Sequence, residues 1–183
     1  MSTFAKKKEK IIRDPMGHVS SYYTVSKSLK GIYYLNTRSI VIGDIDFKGN
    51  RDTPPTTQKQ ALELINKVGS EYGVCAHVFR TQNGLRFFCD ASHLGFSQQL
   101  TLLKMFRCDS TYIICCEKHG QFSARASPKS FFDFTGIYRL GLYGKKEFSS
   151  TPLIKVMNKH DELIERYETS IQKITKKIRE ILK

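Results

Sequence analysis

The run Arg38-Ser-Ile-Val-Ile-Gly-Asp-Ile-Asp46 constrains this chain more than any other stretch, because it ends an apolar, β-branched segment on two carboxylates. Such residues suit a pleated, half-buried surface. The period of two along a strand then sends Asp44 and Asp46 to the same face. Paired carboxylates are costly to hold together unless a cation or hydrogen-bond donors compensate them. Hard cations such as Mg2+ or Mn2+ take oxygen ligands of this type, so the pair is the first candidate metal site. An Asp-x-Asp is a weak motif by itself, and an ordinary strand end is the plain alternative.

The segments around it predict a mixed fold. His18 to Val25 and Ile32 to Phe47 read as strands. Thr57 can cap a helix carrying Ala61, Leu62, Ile65 and Val68 at helical spacing, stopped by Gly69 or Gly73. Val74 to Thr81 and Leu85 to Cys89 read as strands joined at Asn83-Gly84, a two-residue hairpin signal. Ser97 to Phe106 forms a second helix with Leu100, Leu103 and Phe106 on one side, and Tyr112 to Cys116, Phe122 to Ala126 and Ile137 to Leu142 read as further strands. The class expected is α+β, a mixed sheet core, followed by a long C-terminal amphipathic helix. Met157, Ile164, Ile171 and Ile178 recur every seven residues, with His160, Tyr167, Ile174 and Ile181 three later. That stripe packs on its own domain or joins copies of the chain through residues 157–182. The organisation expected is a basic arm over 1–15, a domain over 16–150 and the heptad-patterned helix over 151–183.

Charge sets the partner class. The 183 residues hold 30 Lys and Arg against 17 Asp and Glu, a formal charge of +13. Residues 1–14 and 155–183 carry +3 each, which leaves +7 on the body. A field of that size attracts polyanions, so nucleic acid is the leading partner, against the plain alternative of a soluble basic protein. Cys75, Cys89, Cys108, Cys115 and Cys116 form an odd set without CxxC spacing, which suggests neither a zinc cage nor a disulfide framework. They read as free thiols on or near core strands in a cytoplasmic or nuclear setting. No apolar run approaches the ~20 residues of a membrane span, and no signal-peptide pattern follows the N-terminal charges, so no membrane partner is expected.

Two further segments carry candidate chemistry. In Arg80-Thr-Gln-Asn-Gly-Leu-Arg-Phe-Phe88 the hairpin is expected to set Arg80 and Arg86 on adjacent strands, where planar guanidinium groups suit phosphate. Solvated hairpin arginines are the competing reading. Arg107-Cys-Asp-Ser-Thr-Tyr112 and the later Phe122-Ser-Ala-Arg-Ala-Ser-Pro-Lys129 add Asp109, which can complete a carboxylate trio, and Arg125 and Lys129, which can hold a triphosphate or a template backbone. His18, His77, His93, His119 and His160 show no HxH or HExxH spacing, and no GxxxxGK[ST] phosphate loop occurs.

The order of these pieces, an apolar strand ending in Asp-Ile-Asp, a helix, a hairpin with Thr-x-x-Gly-x-basic, then an Asp and Arg-x-Ser-Pro-Lys, resembles the archaeo-eukaryotic primase superfamily across about Ile40 to Lys129. The resemblance implies a primase-polymerase core in which Asp44, Asp46 and Asp109 bind Mg2+ or Mn2+. It also implies nucleoside triphosphates and single-stranded DNA or primer-template as partners, with nucleotidyl transfer in DNA replication or repair. Arg86 stands where that family has a phosphate-contacting His, which puts the usual transfer geometry in question. A non-catalytic nucleic-acid-binding module on the same fold, as in replication initiation, and a metal-dependent nuclease are the alternatives.

Overall fold

The computed structural model describes residues 22–28, 32–50, 52–126, 137–145 and 150–181, with residues 170–179 and 181 described by backbone alone. The basic arm over 1–15, Lys129 and the strand expected from His18 therefore fall wholly or partly outside the described residues. Among those described, the fold is mixed α+β, with two antiparallel sheets and four helices. In chain order the elements are β1 (Thr24–Lys27), β2 (Tyr33–Thr37), β3 (Val41–Asp46), α1 (Gln58–Glu71), β4 (Cys75–Arg80) and β5 (Gly84–Cys89). There follow α2 (Phe96–Met105), α3 (Ser110–His119), β6 (Phe122–Arg125), β7 (Tyr138–Gly144) and α4 (Thr151–Ile181). One sheet has the order β1-β2-β6, the other β3-β5-β4-β7.

Local chemistry explains most of these boundaries. The Thr57 hydroxyl accepts the Gln60 N–H at 3.3 Å. The Gln60 side chain in turn accepts the Thr57 N–H at 3.0 Å, and this reciprocal cap starts α1. The helix passes through Gly69 and stops at Tyr72. Gly73 follows in the left-handed region at φ +69°, a common way for a helix to end. The hairpin forms, but one residue earlier than expected. Thr81 N–H donates to Gly84 O at 3.0 Å, so Gln82-Asn83 makes the turn and Gly84 opens β5. Gly84 is needed for a close approach, since a Cβ there would overlap the Ile45 carbonyl oxygen of β3.

The strand expected at Tyr112 to Cys116 is a helix instead. Asp109 caps it, its Oδ1 accepting the Tyr112 N–H at 2.8 Å, as a side-chain oxygen at an N-cap does. Gly120 ends it at φ +60°, with Lys118 and His119 in the last turn, where positive charge suits the helix dipole. Ile113 and Cys116 are buried while Ile114 and Cys115 are exposed, the spacing of a helix face. Two good caps outweigh the β preference of Tyr-Ile-Ile-Cys-Cys, a preference that depends on neighbours rather than on the residues alone.

Every residue of β5 is buried, so this strand is covered on both faces. The register places Ile42, Phe88 and His77 in one cross-strand row and Asp44, Arg86 and Phe79 in the next, on the same face. Phe79 and Phe88 pack against His160 of α4 with centroids 5.5 and 4.8 Å away. On the opposite face Phe87 packs edge-to-face on Phe106 at 4.8 Å, a favoured geometry for aromatic pairs. Among the α4 residues whose side chains are described, Leu153, Val156, Met157, His160 and Ile164 are buried, so this part of the heptad stripe is used within the chain.

Candidate functional site

Asp44 lies directly across the ladder from Arg86. Arg86 Nε donates to Asp44 Oδ1 at 2.9 Å and Nη2 donates to Oδ2 at 3.2 Å. This two-pronged pairing matches guanidinium to carboxylate. The remaining nitrogen, Nη1, donates to the Arg125 carbonyl of β6 at 2.6 Å and faces His160 Nε2 of α4 at 3.4 Å. Arg86 is 4% exposed, and each of its three nitrogens has a protein partner. It ties the four-stranded sheet to the three-stranded one and to α4.

His160 completes this network. Its ring is fully buried, and Nδ1 lies 3.2 Å from Asp161 Oδ1. The partners assign the tautomer: Nδ1–H donates to Asp161, which leaves Nε2 to accept from Arg86. Burial lowers the His160 pKa, Arg86 lowers it further, and the Asp161 hydrogen bond opposes both.

The other two aspartates are placed differently. Asp46 is exposed, sits across from Gly84 with no side chain opposite it, and accepts the Lys48 N–H at 2.9 Å. Asp109 comes to the free edge of β3 through its backbone, where its N–H donates to Asp44 O at 3.3 Å. Its carboxylate turns to cap α3 and to take Asn50 Nδ2 at 2.6 Å. The same edge is closed by Tyr112, whose hydroxyl donates to Ile42 O at 2.6 Å and accepts the Ser123 N–H at 3.3 Å. Tyr112 is half-buried as a whole, but its hydroxyl end is enclosed, and that desolvation pushes the phenol pKa well above its ordinary value.

The candidate basic residues separate. Arg80 pairs with Leu85, the neighbour of Arg86, and so leaves the opposite face of the sheet. Its Nη1 donates to the Thr81 and Gly84 carbonyls, the latter at 2.9 Å, and its guanidinium stacks 4.6 Å over the Phe47 ring, where the ring's negative face attracts a cation. Arg125 enters the network through its carbonyl. The structure thus joins Asp44 to Arg86 and Arg125, sets Asp46 beside them on the same face, and brings only the backbone of Asp109 to Asp44.

The carboxylates have the chemistry for a hard divalent cation, but their present arrangement does not fit one. Both Asp44 oxygens serve Arg86 and both Asp109 oxygens serve α3 and Asn50. Among the described residues no group of three or more His, Cys, Asp or Glu is placed to hold a metal ion. All five cysteines are free, and burial pushes Cys116 up to about 11. An open cleft of about 700 Å³ between α1 and β7, lined by Leu62, Asn66 and Tyr143 among others, includes none of these site residues. His160, Asn50 and Tyr112 are the site's unforeseen members. Only His160 left a trace in the sequence, as the one imidazole in an otherwise apolar stripe.

The chain is an α+β protein of two antiparallel sheets in which Asp44, the first aspartate of the acid pair, is paired with the internal Arg86. No family model, curated protein or solved structure matches it. Among the described residues no helix is long and apolar enough to cross a membrane.

Proposed function

We propose that this chain binds nucleic acid, single-stranded DNA or primer-template, on a primase-polymerase-like frame and without nucleotidyl transfer of its own. The observation behind this reading is the fork of Arg86 on Asp44. Arg86, which the resemblance alone sets at a phosphate-contacting position, is buried and turned inward, and it neutralises Asp44. The +13 charge supplies the affinity, through counterions released when Lys and Arg meet phosphates.

Anisotropy titrations of a labelled single strand test the reading. With about four phosphate contacts, raising salt from about 50 to about 200 mM should weaken binding about 50-fold. Binding indifferent to salt would contradict it.

The second reading is Mg2+- or Mn2+-dependent nucleotidyl transfer from nucleoside triphosphates. The observation favouring it is that Asp46 is exposed on the same face as Asp44, at a strand edge where the Asp109 backbone docks. Primer extension decides between the two. Extension by the wild-type chain that disappears in Asp44→Asn with Asp46→Asn establishes transfer; no extension, with binding intact, leaves the module. Shortening of the strand without added nucleotides would instead indicate a nuclease.

A further inference from the structure

We infer that Arg86 is the resident cation of the acid pair, and that a divalent-metal site at Asp44 and Asp46 is latent beneath it. The inference stands apart from the nucleic-acid reading, because metal uptake is measured with no nucleic acid present.

Its basis is the arrangement of charge across the β3–β5 ladder. Asp44 and Asp46 share one face of β3, and a positive charge between or beside them relieves their repulsion. The chain supplies that charge from the facing strand: Arg86 is opposite Asp44, while Gly84 is opposite Asp46. The guanidinium is gripped on three sides, by both Asp44 oxygens, by the Arg125 carbonyl and by His160 Nε2. Its removal from water is therefore compensated, and it is already in position when the chain folds. A cation arriving from solution must displace a tethered one and leave a buried guanidinium unpaired, which is strongly unfavourable.

What remains when Arg86 is taken away is a pair of same-face carboxylates, one of them exposed, whose oxygen atoms would be the ligands, with the His160 Nε2 lone pair left facing the vacated space. Oxygen ligands of this kind select Mg2+ or Mn2+ rather than softer metals. The neutral side chain of Arg86→Gln leaves room beside Asp44 and can donate to the Arg125 carbonyl.

The experiment is Mn2+ titration of the full chain, followed by the electron-spin resonance of free Mn2+. The wild-type chain should show no saturable uptake that depends on Asp46. Arg86→Gln should take up Mn2+ at least about tenfold more tightly, since a charge worth that factor has been removed, and adding Asp46→Asn should abolish the gain. Arg86→Lys, which keeps a cation without the fork, should stay near wild type. Should Arg86→Gln be unfolded, millimolar Mn2+ should refold it where equal ionic strength of sodium chloride does not, because a ligand for the folded state shifts the equilibrium towards it. Asp46-dependent uptake by the wild-type chain overturns the inference, as does a folded Arg86→Gln with no gain or an unfolded one that Mn2+ does not rescue.

Discussion

Phe87 and Phe88 are neighbours on β5, yet their rings leave the sheet on opposite sides and meet different kinds of interior. Phe87 meets Phe106, and a Cβ on Gly43 would overlap the Phe87 ring and crowd Cys108, so that side is closed by shape. Phe88 meets His160, in a layer that also holds the charges of Arg86 and Asp44. One face is held by close packing, where loss follows the volume removed. The other is held by partners, where loss depends on which group is left alone. The strand between them is buried along its whole length, so burial alone does not distinguish the two.

The largest effect is expected on the packed face. Phe87→Ala should lower stability by about 3–5 kcal/mol, the usual cost of emptying a buried aromatic site. No single second substitution should restore it. Urea unfolding measures this, and a loss under about 1 kcal/mol would mean that the face collapses readily and is not fixed by shape.

On the partnered face the expected loss is smaller and partly reversible. Asp44→Ala strands Arg86, but the Asp44 side chain is 37% exposed. Solvent discounts the figure for a fully buried pair to about 2 kcal/mol. Replacing both partners, in Asp44→Leu with Arg86→Met, should recover part of that loss, since no charge is left unpaired, while the Arg125 carbonyl and His160 Nε2 still lose their donor. If the double variant is no better than the sum of the singles, the pair is not the unit that holds this face.

This contrast also separates what is legible in the sequence from what is not. β3, α1 and α2 can be read because their signals are local: an apolar, β-branched run, the Thr57–Gln60 cap, and apolar residues at helical spacing. The turn falls one residue from its expected place because Gly84 is required by the approach of Ile45, distant in sequence, and not by the turn's own dihedrals. Tyr112 to Cys116 misleads because its composition favours strands, while Asp109, a candidate metal ligand by its position in the sequence, works locally as a cap. Periodicity correctly sets Asp44 and Asp46 on one face, but it cannot supply the partner. That Arg86 stands opposite Asp44, and Arg80 on the other side, follows from register, which the sequence leaves open until the turn is fixed.

The smallest effect concerns pH and tests whether the partnered face depends on a neutral imidazole. His160 is faced by Arg86 from β5 and by Asp44 from β3, has Asp161 beside it on α4, and is packed between the rings of Phe79 and Phe88. Burial lowers its pKa; so it does for His77, where Arg139 lowers it further. A histidine with a depressed folded pKa takes up its proton more readily in the unfolded chain, whose value is about 6.5. Its contribution is therefore fully present above that pH and is lost as pH falls below it. The loss levels off once the folded pKa is passed. A protonated His160 would also turn an N–H toward the Arg86 guanidinium in place of the lone pair that now accepts from it. Melting temperatures should fall as pH is lowered from about 7.5 to about 5, and His160→Gln should reduce that slope without abolishing it, because His77 still titrates. The same substitution should leave the penalty of Phe87→Ala unchanged, since that ring lies on the other side of the sheet. Equal slopes for the wild type and His160→Gln would show that the imidazole's charge state does not matter to the Arg86 network, leaving the packing of its ring on Phe79 and Phe88 as its role there.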